Sequence, residues 1–192
     1  MLLESSIRVT LVGDPRQHIY TTNSSTKNKQ YLGIGVVDLL QKWWQSGLCT
    51  IEHMNGTYRC NQGICEFANL LWPDMDAMEP LMSNAIDHTG VYLVAENAVE
   101  DYVRSFSPQV LRYNQNAKSY GCEAMNFGIA KGLQFERVLI VPTGPIRKYL
   151  EVGDLKHLRT SKDKLHVAVT RARHSVAFVF DGRSPVVPGR FR

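Results

Sequence analysis

The sequence predicts an α/β protein, three-layered, with a mainly parallel sheet flanked by helices. Two observations predict it. Short apolar runs bounded by Gly, Pro, Asn or Asp alternate with segments whose apolar residues recur every three or four positions, the mark of strands alternating with helices. Some of those runs are apolar at almost every position, as in strands covered on both faces. The 192 residues, 44% of them hydrophobic, suffice for one substantial core.

Ile7 to Val12 alternates and then runs apolar into Gly13 and Asp14, so it reads as a buried strand delivering a polar loop at its carboxyl end. Thr21 to Tyr31 is rich in Ser, Thr, Asn and Lys and is expected to be a connector and a boundary. Val36 to Gln45 has helical spacing and stops at Ser46 and Gly47. Leu48 to His53 resembles a strand. Asn61 to Trp72 is a second amphipathic helix, with Asn61 as its cap and Pro73 as its stop. Pro73 to Gly90 is weakly patterned and reads as loop. Strands are expected at Val91 to Ala95, Gln109 to Tyr113, Arg137 to Val141 and Ser175 to Phe180, and helices near Val99 to Phe106, Pro145 to Leu150 and Ser161 to Arg173.

Composition narrows the function classes. Twenty-two basic against eighteen acidic residues give +4, which permits a polyanion partner without demanding one. The four cysteines lack zinc spacing and read as free thiols of a reducing cytosol. No run approaches the roughly 20 apolar residues of a membrane span, so a soluble, cytoplasmic protein without a membrane partner is expected.

Four strings carry the chemistry. "LVGDPRQHIY" follows its strand with Gly13, Asp14 and Gln17, which would set an amide at the carboxyl edge of a parallel sheet; an ordinary turn is the competing reading, since Gly, Asp and Pro form turns. "TYRC" presents Arg59 just before a helix, where its guanidinium can grip a phosphate or carboxylate. "IAKGLQFERVLIV" sets Lys131 and Gly132 in a turn before a strongly apolar strand, with a plain surface cation as the alternative for Lys131. "VAVTRAR" ends an amphipathic helix in Thr170, Arg171 and Arg173, and two arginines two apart leave a helix on different sides. A helix carboxyl terminus that favours cations explains one of them.

In this order and spacing the strings resemble motifs III, IV, V and VI of the UvrD/Rep-type superfamily 1 DNA helicases. The resemblance implies a RecA-like fold: residues 1–30 as the last strand and connector of a first RecA-like domain, 31–183 as the second, and 184–192 as a tail. It implies ATP as cofactor, with magnesium supplied through the first domain, and single-stranded or duplex DNA as partner. Gln17, Arg59 and Arg171 would reach the terminal phosphate. Gln134 would touch the ribose, with Gly132 in the same turn and Thr170 beside Arg171. Tyr20, Asn126 and Lys131 would contact DNA.

Departures from the pattern accompany these matches. Thr22 stands where the family often has a tryptophan, and Asn126 and Gly128 stand where it has Thr and His. Only about seventy residues separate the second and third strings, too few for the family's large inserted subdomain. No Gly-Lys dipeptide forms a phosphate-cradling loop and no Asp-Glu pair is present to hold magnesium, so the chain alone is not expected to hydrolyse ATP. It would act with a separate amino-terminal ATPase half.

Two other readings compete. One is a non-catalytic, helicase-derived module that binds nucleic acid or a partner. The other is an unrelated α/β fold, which would leave Arg59 and Arg171 far apart. The helicase reading requires both on one face, alongside the carboxyl ends of the strands. The cluster Lys156, His157, Arg159, Lys162 and Lys164 reads as a nucleic-acid track or, more commonly, a solvated face.

Overall fold

The structure, a computed structural model, describes residues 7–19, 26–81 and 86–191. Its contacts divide the chain into two units, Met1–Met54 and Asn55–Arg192.

In the first unit, the expected strand at Ile7 to Val12 is absent. A strand needs a ladder partner, and no described strand pairs with this segment. Its side chains instead face water, with Val12 94% exposed. A short 3₁₀ turn, Pro15–Gln17, follows, capped by Asp14. Of the expected connector, Thr21 to Ser25 lies outside the described residues and Thr26–Tyr31 forms a 3₁₀ helix. Helix α1, Gly35–Gln45, matches the periodic segment, and none of its residues is buried. The strand expected at Leu48 to His53 is also missing, for the same want of a partner.

The second unit is built around a sheet of parallel strands. Strand β1, Gly56–Thr57, pairs with β2, Glu79–Pro80, in a small separate ladder. Between them runs helix α2, Gln62–Leu71, whose first turn is capped by Asn61 Oδ1 accepting from the Ile64 amide at 3.3 Å. The main sheet comprises β3 (Gly90–Val94), β4 (Gln109–Arg112), β5 (Ala124–Asn126), β6 (Phe135–Ile140), β7 (Ala172–Val179) and β8 (Gly189–Arg190). Their spatial order is β5-β4-β6-β7-β3-β8, every neighbouring pair parallel. Helices α3 (Val99–Phe106), α4 (Gly144–Val152) and α5 (Lys162–Val169) complete the unit.

Alternation along the strands sorts side chains to two faces. Val138 and Ile140 of β6 and Val176 and Phe178 of β7 join α2, α4 and α5 in one cluster, with Ile64, Leu71, Ile146 and Leu165. Leu139 and Ala177 point the other way, to Val99 and Tyr102 of α3. Burial on both faces is why these strands are apolar at nearly every position. The fold is therefore α/β, three-layered, with a parallel sheet between helices.

Some boundaries and short strands differ from expectation. The helix expected to reach Arg173 stops at Val169, because Thr170 caps it and β7 begins at Ala172. Arg171 and Arg173 thus belong to a turn and a strand, and the helical-face argument for them falls. Strands β5 and β8 carry no apolar run; each is held by pairing to a neighbour. Gly189 is required in β8, since a Cβ there would lie 2.7 Å from the Val91 carbonyl oxygen.

Candidate functional site

Two devices at the amino ends of β6 and β7 bring the second, third and fourth strings together. The first is the turn after α5. Thr170 Oγ1 donates to the His166 carbonyl at 2.8 Å, closing the helix, and Arg171 turns back beneath it. Arg171 is 2% exposed and donates through Nε to Val167 O at 3.1 Å, through Nη2 to Thr170 Oγ1 at 3.3 Å and through Nη1 to Leu133 O at 3.4 Å. It therefore ties the end of α5 to the turn that leads into β6.

The second device is Asn61. While its oxygen caps α2, its Nδ2 donates to the carbonyls of Arg173 at 2.9 Å and His174 at 2.6 Å. Those two residues form a bulge in β7: Phe135 pairs with Ala172 and Arg137 with Ser175, so two residues of β7 oppose Glu136 alone. The Glu136 carboxylate accepts from Arg173 Nη1 at 3.1 Å and lies 2.6 Å from His174 Nε2.

Arg59 sits between these devices, two residues before Asn61. Its Nε donates to Gln134 Oε1 at 3.2 Å and its Nη1 to the Thr170 carbonyl at 3.1 Å. Cys60 beside it is buried and its thiol donates to the same carbonyl at 3.8 Å. Burial pushes the Cys60 thiol up, and the nearby Arg59 and Arg171 cations only partly oppose this. The thiol therefore stays neutral and is no nucleophile at ordinary pH.

Arg59, Gln134, Thr170 and Arg171 thus converge on one patch. The edge differs from expectation: Phe135 and Ala172 open β6 and β7, so the patch lies at the amino ends of the strands, not the carboxyl ends. The eight residues between β5 and β6 explain the reversal. They cross from the carboxyl end of β5, where Asn126 stands, back to the amino end of β6, where Gln134 stands. Phe127 and Ala130 bury themselves on the way, and Gly132 turns left-handed at φ +86, a conformation glycine adopts freely. Asn126 and Gln134 therefore serve opposite edges of the sheet. Lys131 is exposed within this crossing.

Gln17 belongs to the first unit. Its Nε2 donates to Asp14 Oδ2 at 3.0 Å, inside a turn where Arg16 also grips Asp14 at 2.9 Å. Burial raises the Asp14 carboxyl, but the Arg16 and Gln17 hydrogen bonds outweigh it and hold the group below its usual range. Tyr20 lies outside the described residues.

Sequence reasoning missed the bridging role of Asn61, seen only as a cap, and the Glu136–Arg173–His174 cluster. Alternating charge in "FER" and "RARH" was the available signal. The basic cluster is largely engaged: Lys156 pairs with Asp154 at 2.6 Å, Lys162 lies 3.7 Å from the centre of the Trp72 ring and Lys164 lies 4.2 Å from that of Tyr113. Among the described residues no group of three His, Cys, Asp or Glu side chains is placed to hold a metal, and no helix is long and apolar enough to cross a membrane.

Neither a protein-family model nor a curated protein sequence matches the chain. Among solved structures it is similar to a PRRSV helicase, at 20% identity over 70% of this chain and 24% of that one, with a TM-score of 0.45. It is similar to the arterivirus nonstructural protein 10 helicase at 17% identity over 77% of this chain and 31% of that one, TM-score 0.46. The C-terminal domain of a possible DNA helicase from Lactobacillus plantarum WCFS1 gives 16% identity over 69% of this chain and 92% of that one, TM-score 0.32. The chain spans 24% and 31% of the length of these two viral helicases.

Proposed function

We propose that the second unit is the second RecA-like domain of a nucleic-acid helicase of the UvrD/Rep type, working on a nucleotide held by an ATPase half. The observation that carries this reading is the convergence of Arg59, Gln134, Thr170 and Arg171 on one patch from three strings far apart in sequence, which meets the requirement of a shared face but at the amino ends of the strands in place of the carboxyl ends.

The patch divides the work. Arg59 is half-buried, and its hydrogen bond to Gln134 lies at the surface, so it can be handed to an incoming phosphate without unmaking the core. A guanidinium placed so can stabilise charge on the terminal phosphate in the transition state, as an arginine finger does. Arg171 braces the turn that carries Thr170, and reaches phosphate only if it leaves the carbonyls of Val167 and Leu133. Gln134 would meet the ribose, with Gly132 in the same turn allowing close approach of the backbone. For Gln17 the resemblance implies the role of sensing a terminal phosphate. Tyr20, Asn126 and Lys131 would line the DNA path, with Asn126 at the opposite edge from the nucleotide. ATP and magnesium would arrive with the ATPase half.

The test is to mix the full chain with a separately produced ATPase half, any polypeptide from an adjoining reading frame found to carry a Gly-Lys-Ser or Gly-Lys-Thr loop, and to follow ATP hydrolysis with and without single-stranded DNA. Hydrolysis stimulated by DNA in the mixture, and absent from either component, is the expected result. A mixture no more active than its parts contradicts the reading.

A further inference from the structure

The entry to β1 carries a chemistry that the proposed function does not use. Of all the asparagines in the sequence, only Asn55 is followed by glycine. We infer that Asn55 is a site of covalent modification, at which water converts the side-chain amide to aspartate and isoaspartate and so uncouples β1 from β2. Neither step depends on the helicase reading.

The reaction needs the chain and water alone. The Gly56 amide nitrogen gives its proton to solvent and attacks Asn55 Cγ. A carbon–nitrogen bond closes a five-membered imide, and the Cγ–Nδ2 bond breaks with release of ammonia. Water then opens the imide. Cleavage at Cγ gives aspartate, and cleavage at the former Asn55 main-chain carbonyl gives isoaspartate, whose main chain runs through Cβ and Cγ. Asparagine is thermolabile, and a glycine that lacks Cβ gives the least obstruction to ring closure.

Three features of the structure leave the pair open to this reaction. Direction comes first. The Glu79 amide donates to the Asn55 carbonyl at 3.0 Å and the Leu81 amide to the Thr57 carbonyl at 2.9 Å, so the exposed Gly56 turns its amide away from the ladder. Next, Asn55 is half-buried, and among the described residues no partner holds its side-chain amide. Asn61 and Asn69, by contrast, have both oxygen and nitrogen engaged. Finally, β1 is two residues long, so local opening breaks few bonds. Packing nonetheless demands the glycine, because a Cβ at position 56 would lie 2.6 Å from Leu81 Cδ1. The fold itself sets the labile pair.

The consequence reaches Arg59. Isoaspartate lengthens the main chain after residue 55 by one bond, about 1.5 Å, so the ladder bonds from Glu79 and Leu81 cannot both be kept. Strand β1 presents Arg59: Thr57 Oγ1 accepts from the Arg59 amide at 3.2 Å, while Arg59 Nη1 reaches the Thr170 carbonyl at 3.1 Å. Loss of the ladder therefore frees Arg59 from its patch.

The experiment ages the purified full chain in mildly alkaline buffer and follows the tryptic peptide Trp43 to Arg59 by liquid chromatography and mass spectrometry, in which aspartyl and isoaspartyl forms share one mass and elute apart. Asn55 should convert several-fold faster than Asn116, which is also exposed to solvent but precedes an alanine. Hydrogen exchange on the same samples should show the Glu79 and Leu81 amides losing protection in proportion to the isoaspartate formed. Asn55→Gln, whose longer side chain cannot close the five-membered ring, should stay unmodified and protected. Freshly purified Asn55→Asp, which adds the charge and keeps the main chain, should also stay protected. Conversion of Asn55 no faster than that of Asn116 overturns the site. Protection unchanged in isoaspartate-bearing chains, or lost equally in Asn55→Asp, overturns the uncoupling. Each of these results leaves the helicase reading standing.

Discussion

Replacing Asn61 separates two roles that one side chain performs. Its oxygen caps α2 and its nitrogen donates to both carbonyls of the β7 bulge. Loss of an N-cap costs about 1 kcal/mol, and each carbonyl deprived of its donor about 1 kcal/mol more. Asn61→Ala should therefore destabilise the second unit by about 2–3 kcal/mol. With a urea dependence of ~2 kcal/mol per molar, the midpoint falls by about 1 M. Asn61→Asp is the sharper variant, because aspartate caps a helix as well as asparagine does yet has no donor and turns a carboxylate toward two carbonyl oxygens. It should be no more stable than Asn61→Ala. Urea unfolding followed by circular dichroism measures both. An Asn61→Asp protein within about 0.5 kcal/mol of the native chain would refute the bridging role and leave only the cap.

Two further predictions concern stability. Arg171→Ala removes three donations from a fully buried guanidinium and should cost about 2–4 kcal/mol, whereas Arg59→Ala, at a half-exposed position, should cost less than about 1 kcal/mol; equal effects in thermal unfolding would contradict the division between brace and finger. Burial, and then the neighbouring Arg137, lower His88 to about 4 from 6.5. The unfolded chain then binds a proton that the folded chain refuses, so this contribution to stability is complete above pH 6.5 and is lost as pH falls toward 4. His88→Asn tolerates the positive φ at this position and should flatten that part of the profile; an unchanged slope would remove His88 as its cause.

Much of the fold was legible for a physical reason. Strands β3, β4, β6 and β7 are buried on two faces, so their apolar runs announce themselves, and α2 advertises its start with Asn61 and its end with Pro73. Ile7 to Val12 misled because alternation reports a strand only when a sheet exists to receive it. Strand β5 was invisible: its three residues are half-buried and it is defined by pairing with β4 alone. That Arg59 and Arg171 lie on one patch followed from reading the strings together. The edge on which they meet did not, since it depends on how few residues return from β5 to β6. Asn61 was recognised for its cap, a local pattern, and missed for its bridge, which joins residues 112 and 113 positions apart.

Arg59 in the reconstituted ATPase is the most direct test of the central claim. With the ATPase half and single-stranded DNA present, the hydrolysis rate should fall about 10³-fold or more in Arg59→Ala and stay low in Arg59→Lys, because an arginine finger supplies 10³–10⁵ in rate through a planar, forked donor set that lysine lacks. Arg173→Ala, on the same edge but paired with Glu136, is the control and should change the rate by less than about tenfold. An Arg59→Ala protein that supports native hydrolysis would contradict the account.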